Sequence, residues 1–230
     1  MEAIRVIKKS DNDDFMPILE PKFVVLGMIN EYCGRRAIED GSTVEYFYAD
    51  ERPIADLFAK YLILYGTSLH IDSAEVTVVQ AVTGHSCVES RRMNAHINAL
   101  YKVEFETDQF ITMPDGQEHR VAHVDLTIEE FPRKTSMFYR SSEMNPRFSY
   151  MYGVLLRFGS EGLVIKMANA TQKIELIKQV LEELDVEWVD HKYSVGGAPR
   201  CHEVTFGADS KLTRLLQLAL AERAEAFARV

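Results

Sequence analysis

Apolar and polar positions follow the same pattern in two stretches of the chain, one in each half. FVVLGMINEYCG (residues 23–34) corresponds to SYMYGVLLRFGS (residues 149–160), and Gly27 then matches Gly153 at an offset of 126. Each stretch has a largely apolar helix pattern. A short strand pattern and then an amphipathic helix pattern follow it along the chain. The repetition predicts two related halves that form a pseudo-twofold pair.

The matched glycines indicate how the halves meet. A glycine inside a helix costs about 1 kcal/mol relative to alanine unless the missing side chain is needed. Close approach of two helix backbones is such a need. We therefore predict that the helices holding Gly27 and Gly153 pack against each other on the pseudo-twofold axis.

Three further helices follow from the spacing of apolar residues. The first is predicted to begin after Asp50, a good N-cap residue, and to end near Gly66. Its buried stripe comprises Ile54, Leu57, Phe58, Tyr61, Leu62 and Tyr65. The second is capped by Thr171, and a final helix follows Asp209.

The remaining patterns are typical of antiparallel strands. Residues 69–131 are predicted to be mostly sheet, with a hairpin across MPDGQE, and a second hairpin crosses VGGAP in the second half. On the strands, alternation predicts that Lys166, Glu45 and Glu203 lie on open faces. The fold class predicted is α/β in the α+β sense, with antiparallel sheets beside central paired helices.

Composition narrows the classes of function. The chain has 230 residues, 47% of them hydrophobic, and a formal net charge of −9. That charge is unusual for a dedicated nucleic-acid-binding protein, whose affinity comes from neutralising phosphates. Apolar runs are far shorter than the roughly 20 residues of a membrane-spanning helix. The three scattered cysteines and the absence of a secretory pattern favour a cytoplasmic protein.

The segment between the two repeats is the most basic part of the chain. Residues 132–148 contain four basic residues and one acid, a net charge of +3. The basic residues are Arg133, Lys134, Arg140 and Arg147, and aromatic residues lie among them. Cations that contact phosphates and rings that stack on bases suit a nucleic-acid strand. A solvated connection with buried aromatics is the alternative.

The stretch YGVLLRFGSEGLVIKMANATQKIELIKQVLEELDVEW resembles the core of the LAGLIDADG homing endonucleases and intein endonuclease domains. The resemblance covers about residues 22–66 and 149–206. It implies two signature helices packed on a pseudo-twofold axis, sheets that form a saddle over DNA, and one metal-binding carboxylate at each helix end. It also implies three parts: a first half with an extra hairpin (1–131), a basic linker (132–148) and a second half (149–230).

The resemblance leaves two alignments open for the metal-binding acids. With the glycines matched, the acids are replaced by Tyr32 and Phe158, which cannot bind the Mg²⁺ that oxygen ligands hold. A slipped alignment instead places Asp40 and Glu161 before the two strands as candidate catalytic residues. The first alignment describes a scaffold without cofactor or metal, and the second an enzyme that uses Mg²⁺.

Three hypotheses follow. The leading one is a non-catalytic nucleic-acid-binding or regulatory protein that contacts DNA or RNA through Lys166, Lys192 and the basic residues of segment 132–148. The alternatives are an active Mg²⁺-dependent DNA endonuclease and an acidic module that binds a protein, such as a phage or mobile-element factor. We expect a monomer or homodimer with no membrane association.

Overall fold

The computed structural model describes residues 16–30, 41–80, 84–101, 104–112, 118–123, 145–168, 170–186, 189–194, 201–207 and 210–229. Their helices and strands are, in chain order, α1 (Pro21–Met28), β1 (Thr43–Phe47), α2 (Arg52–Ser68), β2 (Thr77–Gln80), β3 (Ser86–Glu89), α3 (Arg91–Leu100), β4 (Glu104–Thr112), β5 (Glu118–His123), α4 (Pro146–Phe158), β6 (Gly159–Ser160), β7 (Val164–Ala168), α5 (Thr171–Glu183), β8 (Val189–Ser194), β9 (Cys201–Phe206) and α6 (Ser210–Phe227). Short 3-10 turns lie at Ala49–Glu51 and Ser73–Glu75.

The two halves share one order of elements. The first runs α1-β1-α2-β2-β3-α3, and the second runs α4-β7-α5-β8-β9-α6 with the short strand β6 added after α4. The spatial orders are β1-β3-β2 and β6-β7-β9-β8, so β3 lies between β1 and β2, and β9 lies between β7 and β8. All of these pairs are antiparallel, which confirms the predicted mixed α+β class. A pseudo-twofold axis between the halves stays a prediction.

One helix pair lies at the centre of the core. Both helices are buried over nearly their whole length, from Phe23 in α1 and from Pro146 in α4, and the buried residues of α4 include Arg147 and Arg157. The two pack against each other, α2 packs on α1, and α6 packs on α4.

Gly27 and Gly153 lie where α1 and α4 approach most closely. A Cβ atom on Gly27 would be 2.1 Å from the carbonyl oxygen of Tyr150, and one on Gly153 would be 2.1 Å from that of Val24. Each would also lie 3.1 Å from the Cα of the other glycine. Any side chain at either position would therefore push the two backbones apart.

Each of the two larger sheets buries one face. In β7, Ile165 and Met167 are buried while Lys166 is exposed, and in β9 His202, Val204 and Phe206 are buried. Helices cover these inner faces, and the outer faces are open to solvent. Antiparallel sheets commonly have this one-sided burial.

Residues 91–100 form a helix, although the sequence predicted sheet there. The Ser90 side chain accepts a hydrogen bond from the Met93 amide at 3.3 Å, which caps the N-terminus. Met93 and Ile97, four positions apart, are buried on one side of α3. The predicted hairpin after it is confirmed for β4 and β5, whereas its turn lies outside the described residues.

Several predicted boundaries were also wrong. α2 begins at Arg52 rather than after Asp50, and it continues past Gly66, whose carbonyl accepts hydrogen bonds from Leu69 and Ile71. Ala170, rather than Thr171, is the N-cap of α5. In the second half α4 already begins at Pro146, because the Asn145 side chain caps it.

Glu45 is buried, which corrects its predicted exposure. The register of β1 against β3 shifts between Thr43 and Glu45, as at a β-bulge. The shift breaks the alternation of faces, so that Val44 and Glu45 are both buried while Tyr46 points outward.

Candidate functional site

The C-terminal end of α1 is surrounded by four charged side chains from both halves, here called the end cluster. The members are Glu45 of β1, Glu51 of the turn before α2, Arg157 of α4 and Lys173 of α5. Glu45, Arg157 and Lys173 are only 3%, 4% and 1% exposed. Charged residues are seldom buried so deeply unless they are paired.

Arg157 is bonded in several directions. Its guanidinium donates hydrogen bonds to the carbonyls of Met28 and Tyr46, both at 2.9 Å, and to the Glu51 carboxylate at 3.2 Å. It lies 3.7 Å from the Glu45 carboxylate and 4.3 Å from the centre of the Phe47 ring. The side chain thus joins α4 of the second half to α1 and β1 of the first.

Lys173 completes the capping of α1. Its amino group donates to the carbonyls of Leu26 at 2.7 Å and Gly27 at 3.0 Å, and lies 4.9 Å from the centre of the Tyr150 ring. Burial lowers the pKa of Lys173 well below its usual range; nearby Glu45 opposes this shift, and Arg157 adds to it. Carbonyls at a helix C-terminus lack intrahelical donors and carry partial negative charge, so basic groups are favourable there.

Both carboxylate oxygens of Glu45 accept backbone hydrogen bonds. The donors are the amides of Asn30 at 2.7 Å and Tyr46 at 2.8 Å. Glu51 is bonded to Arg157 and to the Tyr48 amide at 3.0 Å. These acids are therefore used to hold the end cluster together. Within the described ranges, no group of three or more His, Cys, Asp and Glu residues could hold a metal ion.

The end of α4 is covered in a similar way. Arg223 of α6 donates to the carbonyls of Arg157 and Gly159, both at 3.2 Å. An arginine thus lies at the C-terminus of each helix of the central pair.

The predicted catalytic acids are only partly placed. Glu161 is exposed in the turn that joins β6 and β7, and Asp40 lies outside the described residues. Of the aromatic residues in the other alignment, Phe158 ends α4 with its ring centre 4.9 Å from the Arg157 guanidinium, and Tyr32 lies outside the described residues. The choice between the two alignments stays a prediction.

The predicted nucleic-acid contacts divide into three groups. Lys166 and Lys192 are exposed on the outer face of the second sheet, with side chains 57% and 70% accessible. Arg147 is buried in α4 and paired with Glu183, so it is unavailable to a phosphate. Arg133, Lys134 and Arg140 lie outside the described residues.

Acids lie beside the two exposed lysines. Lys166 and Lys192 flank Glu203 in one row across β7, β9 and β8. The Lys166 amino group lies 3.2 Å from Glu203, and that of Lys192 lies 3.7 Å from Asp190. Glu203 was predicted to lie on the open face, and its side chain is partly exposed there.

The outer face of the first sheet is more apolar. Tyr46, Cys87 and Val79 form one row across β1, β3 and β2, and Tyr46 and Val79 are exposed. Next to it, the exposed Tyr48 ring lies 5.8 Å from the ring of His85.

Sequence reasoning missed the residues of the end cluster. Arg157 interrupts the apolar run VLLRF, and Lys173 directly precedes the apolar Ile174. A charged residue within an apolar helix pattern is a usable signal, but it does not identify the partner. At the matched positions of the first half the chain has Glu31 and Pro53, so these basic groups belong to one half only.

Comparisons with protein-family models, with curated proteins and with solved structures found no match. No described helix is both long enough and apolar enough to cross a bilayer.

Proposed function

We propose that the protein is a non-catalytic nucleic-acid-binding or regulatory protein on a scaffold related to the LAGLIDADG homing endonucleases. The observation that carries this proposal is the end cluster. The resemblance implies metal-binding acids at the ends of the central helices. In this chain Arg157, Lys173 and Arg223 occupy the helix ends, and Glu45 and Glu51 are bonded within the protein. The contact of the two glycine-bearing helices and the shared order of elements support the scaffold.

Contacts to nucleic acid would come from the open faces of the sheets. Lys166 and Lys192 are well exposed, and their pairs with Glu203 and Asp190 lie at the surface. Exposed ion pairs contribute only about 0–1 kcal/mol. Both lysines can therefore exchange a carboxylate for a phosphate at small cost. The acids beside them predict weak binding, which added salt should weaken further.

Fluorescence anisotropy with labelled duplex and single-stranded DNA and RNA at low salt tests the proposal. We expect Lys192→Glu to weaken binding and to reduce the slope of log K against log salt by about 1. Lys178→Glu is the matched control, because Lys178 lies on α5 and pairs with Glu175. Its charge reversal should leave binding much closer to wild type.

Two results would contradict the proposal. One is no binding of any probe at micromolar protein. The other is cleavage of supercoiled plasmid in Mg²⁺ that is lost in Asp40→Asn, which would favour the endonuclease alternative.

The apolar outer face of the first sheet favours a second candidate, the protein-interaction module. Exposed Tyr46, Tyr48 and Val79 lie close together there, and aromatic residues are enriched in protein interfaces. On this hypothesis, a partner captured by the wild type resists nuclease treatment and is lost with Tyr46→Ser. Capture that nuclease abolishes would instead favour a nucleic-acid bridge.

A further inference from the structure

A pair of histidines joins the last two strands of the second sheet. His191 Nε2 and His202 Nδ1 are 2.9 Å apart, and the ring planes are only 16° from parallel. The ring centres are 5.2 Å apart, so the rings meet edge to edge through one hydrogen bond. A hydrogen bond between two imidazoles needs one neutral nitrogen as acceptor, so it cannot persist when both rings are charged.

The position of the pair makes a second charge costly. His202 is 3% exposed, on the inner face of β9. The Nε2 atom of His202 lies 3.5 Å from the Thr171 hydroxyl at the start of α5. The centres of the His202 and Tyr193 rings are 4.6 Å apart. Opposite it on β7 is the apolar Met167.

Nearby charges compensate only in part. Burial lowers the pKa of His202, His191 lowers it further, and Glu175 of α5 opposes the shift. Glu175 is itself exposed and paired with Lys178. Asp190 and Lys192 of β8 and Lys166 of β7 alternate with inner-face residues and lie on the opposite face of the sheet.

We propose that His191 and His202 form a proton-controlled latch on β8, closed at neutral pH and opened when acid places a charge on both rings. β8 is an edge strand of the sheet and pairs only with β9 among the described strands, so its release breaks a single strand pairing. The latch does not depend on nucleic-acid binding. Because β8 carries Lys192, its opening would also change the outer face.

The direction of the effect follows from linkage. A histidine whose pKa is lowered by folding binds fewer protons in the closed state than in the open state. The closed state is therefore fully favoured above the open-state pKa of about 6.5 and is disfavoured as the pH falls below it. One unit of difference between the two pKa values changes the opening equilibrium by about tenfold.

Amide hydrogen exchange on the full chain, measured by NMR, tests the latch. Between pH 7.5 and pH 5, protection of the β8 amides that bond to β9 should fall further than protection in β7. His191→Gln removes the second charge and should reduce this difference, because burial of His202 is then the remaining cause. His85→Gln removes a histidine from the first half and should retain it.

The proposal is overturned if β8 and β7 lose protection equally, or if His191→Gln behaves as wild type. The histidine ring signals of the wild type give a measurement that needs no variant. The His202 ring should show a pKa below the open-state value of about 6.5, and a His202 pKa at or above that value would also overturn the latch.

Discussion

At the scale of single residues, Lys173 shows how the fold uses a buried charge. Its methylene chain is packed in the core, and its amino group serves two carbonyls at the end of α1. α1 has only eight residues and ends without a basic side chain of its own in the last turn. The end of this short helix is therefore stabilised by a residue that is distant in sequence.

Replacing Lys173 by methionine tests that role. Lys173→Met keeps much of the packing but removes the Lys173 donor from two buried carbonyls, of which that of Leu26 keeps the Tyr101 hydroxyl at 3.4 Å. The change should lower the free energy of unfolding by about 1–3 kcal/mol. Lys178→Met, on the exposed side of α5, should change it by less than about 0.5 kcal/mol. Chemical denaturation at pH 7 measures the free energy of unfolding of both variants and of the wild type. A Lys173→Met protein as stable as the wild type would contradict the assigned role.

The same variant should differ from wild type in its response to alkaline pH. Because burial lowers the pKa of Lys173, the unfolded chain binds the extra proton between that lowered value and the unfolded value of about 10.4. Wild-type stability therefore gains a component that rises with pH in this window. Lys173→Met should lack this rise when unfolding is measured from pH 7 to pH 10. Parallel curves for the two proteins would show that Lys173 keeps an ordinary pKa.

At the scale of elements, α6 is bonded to both α2 and α4 through one carboxylate. Glu222 accepts hydrogen bonds from the hydroxyls of Tyr61 at 2.8 Å and Tyr152 at 2.6 Å, and from the Lys60 amino group at 2.6 Å. Burial alone would raise the pKa of Glu222, but these three donors outweigh it and lower the pKa. This junction ties the last helix of the second half to a helix of the first.

Glu222→Gln should weaken the junction by about 1–2 kcal/mol at pH 7, because hydrogen bonds to a charged acceptor are stronger than those to an amide. A lowered carboxylate pKa contributes stability above the unfolded value of about 4.3, and this is lost as the pH falls through the folded value. The difference from wild type should therefore shrink in acid. Glu225→Gln, on the exposed side of α6, is the control. A difference that persists unchanged at pH 3 would contradict this explanation.

The elements also show what the sequence could and could not predict. The stripe from Ile54 to Tyr65 and the hairpin strands were predictable because their periods are local. α3 was missed because half of its ten residues are polar and only Met93, Ile97 and Leu100 are large apolar residues at helical spacing. The burial of Glu45 depends on a bulge, which the alternation of residues in β1 does not reveal. The partners of Arg157 and Lys173 are more than 100 residues away for most bonds, so no local pattern identifies them.

At the scale of the molecule, the two glycine-bearing helices form the main contact between the halves, and the end cluster and the Glu222 junction add to it. The matched glycines predicted this contact, because a missing side chain at equivalent positions has a simple structural cause. The end cluster makes the two halves unequal, since Arg157 and Lys173 come from the second half and cap a helix of the first. The filled helix end is the basis of the proposed non-catalytic function.

The stability of glycine variants tests this architecture most directly. Gly27→Ala and Gly153→Ala should each lower the free energy of unfolding by about 2 kcal/mol or more, because the new Cβ would overlap a backbone carbonyl of the other helix. The double variant should lose less than the sum, since both changes disrupt one contact. Gly66→Ala is the control, because its Cβ would meet its nearest neighbours at an ordinary 3.5 Å. Wild-type stability in Gly27→Ala and Gly153→Ala would show that α1 and α4 do not meet at their glycines.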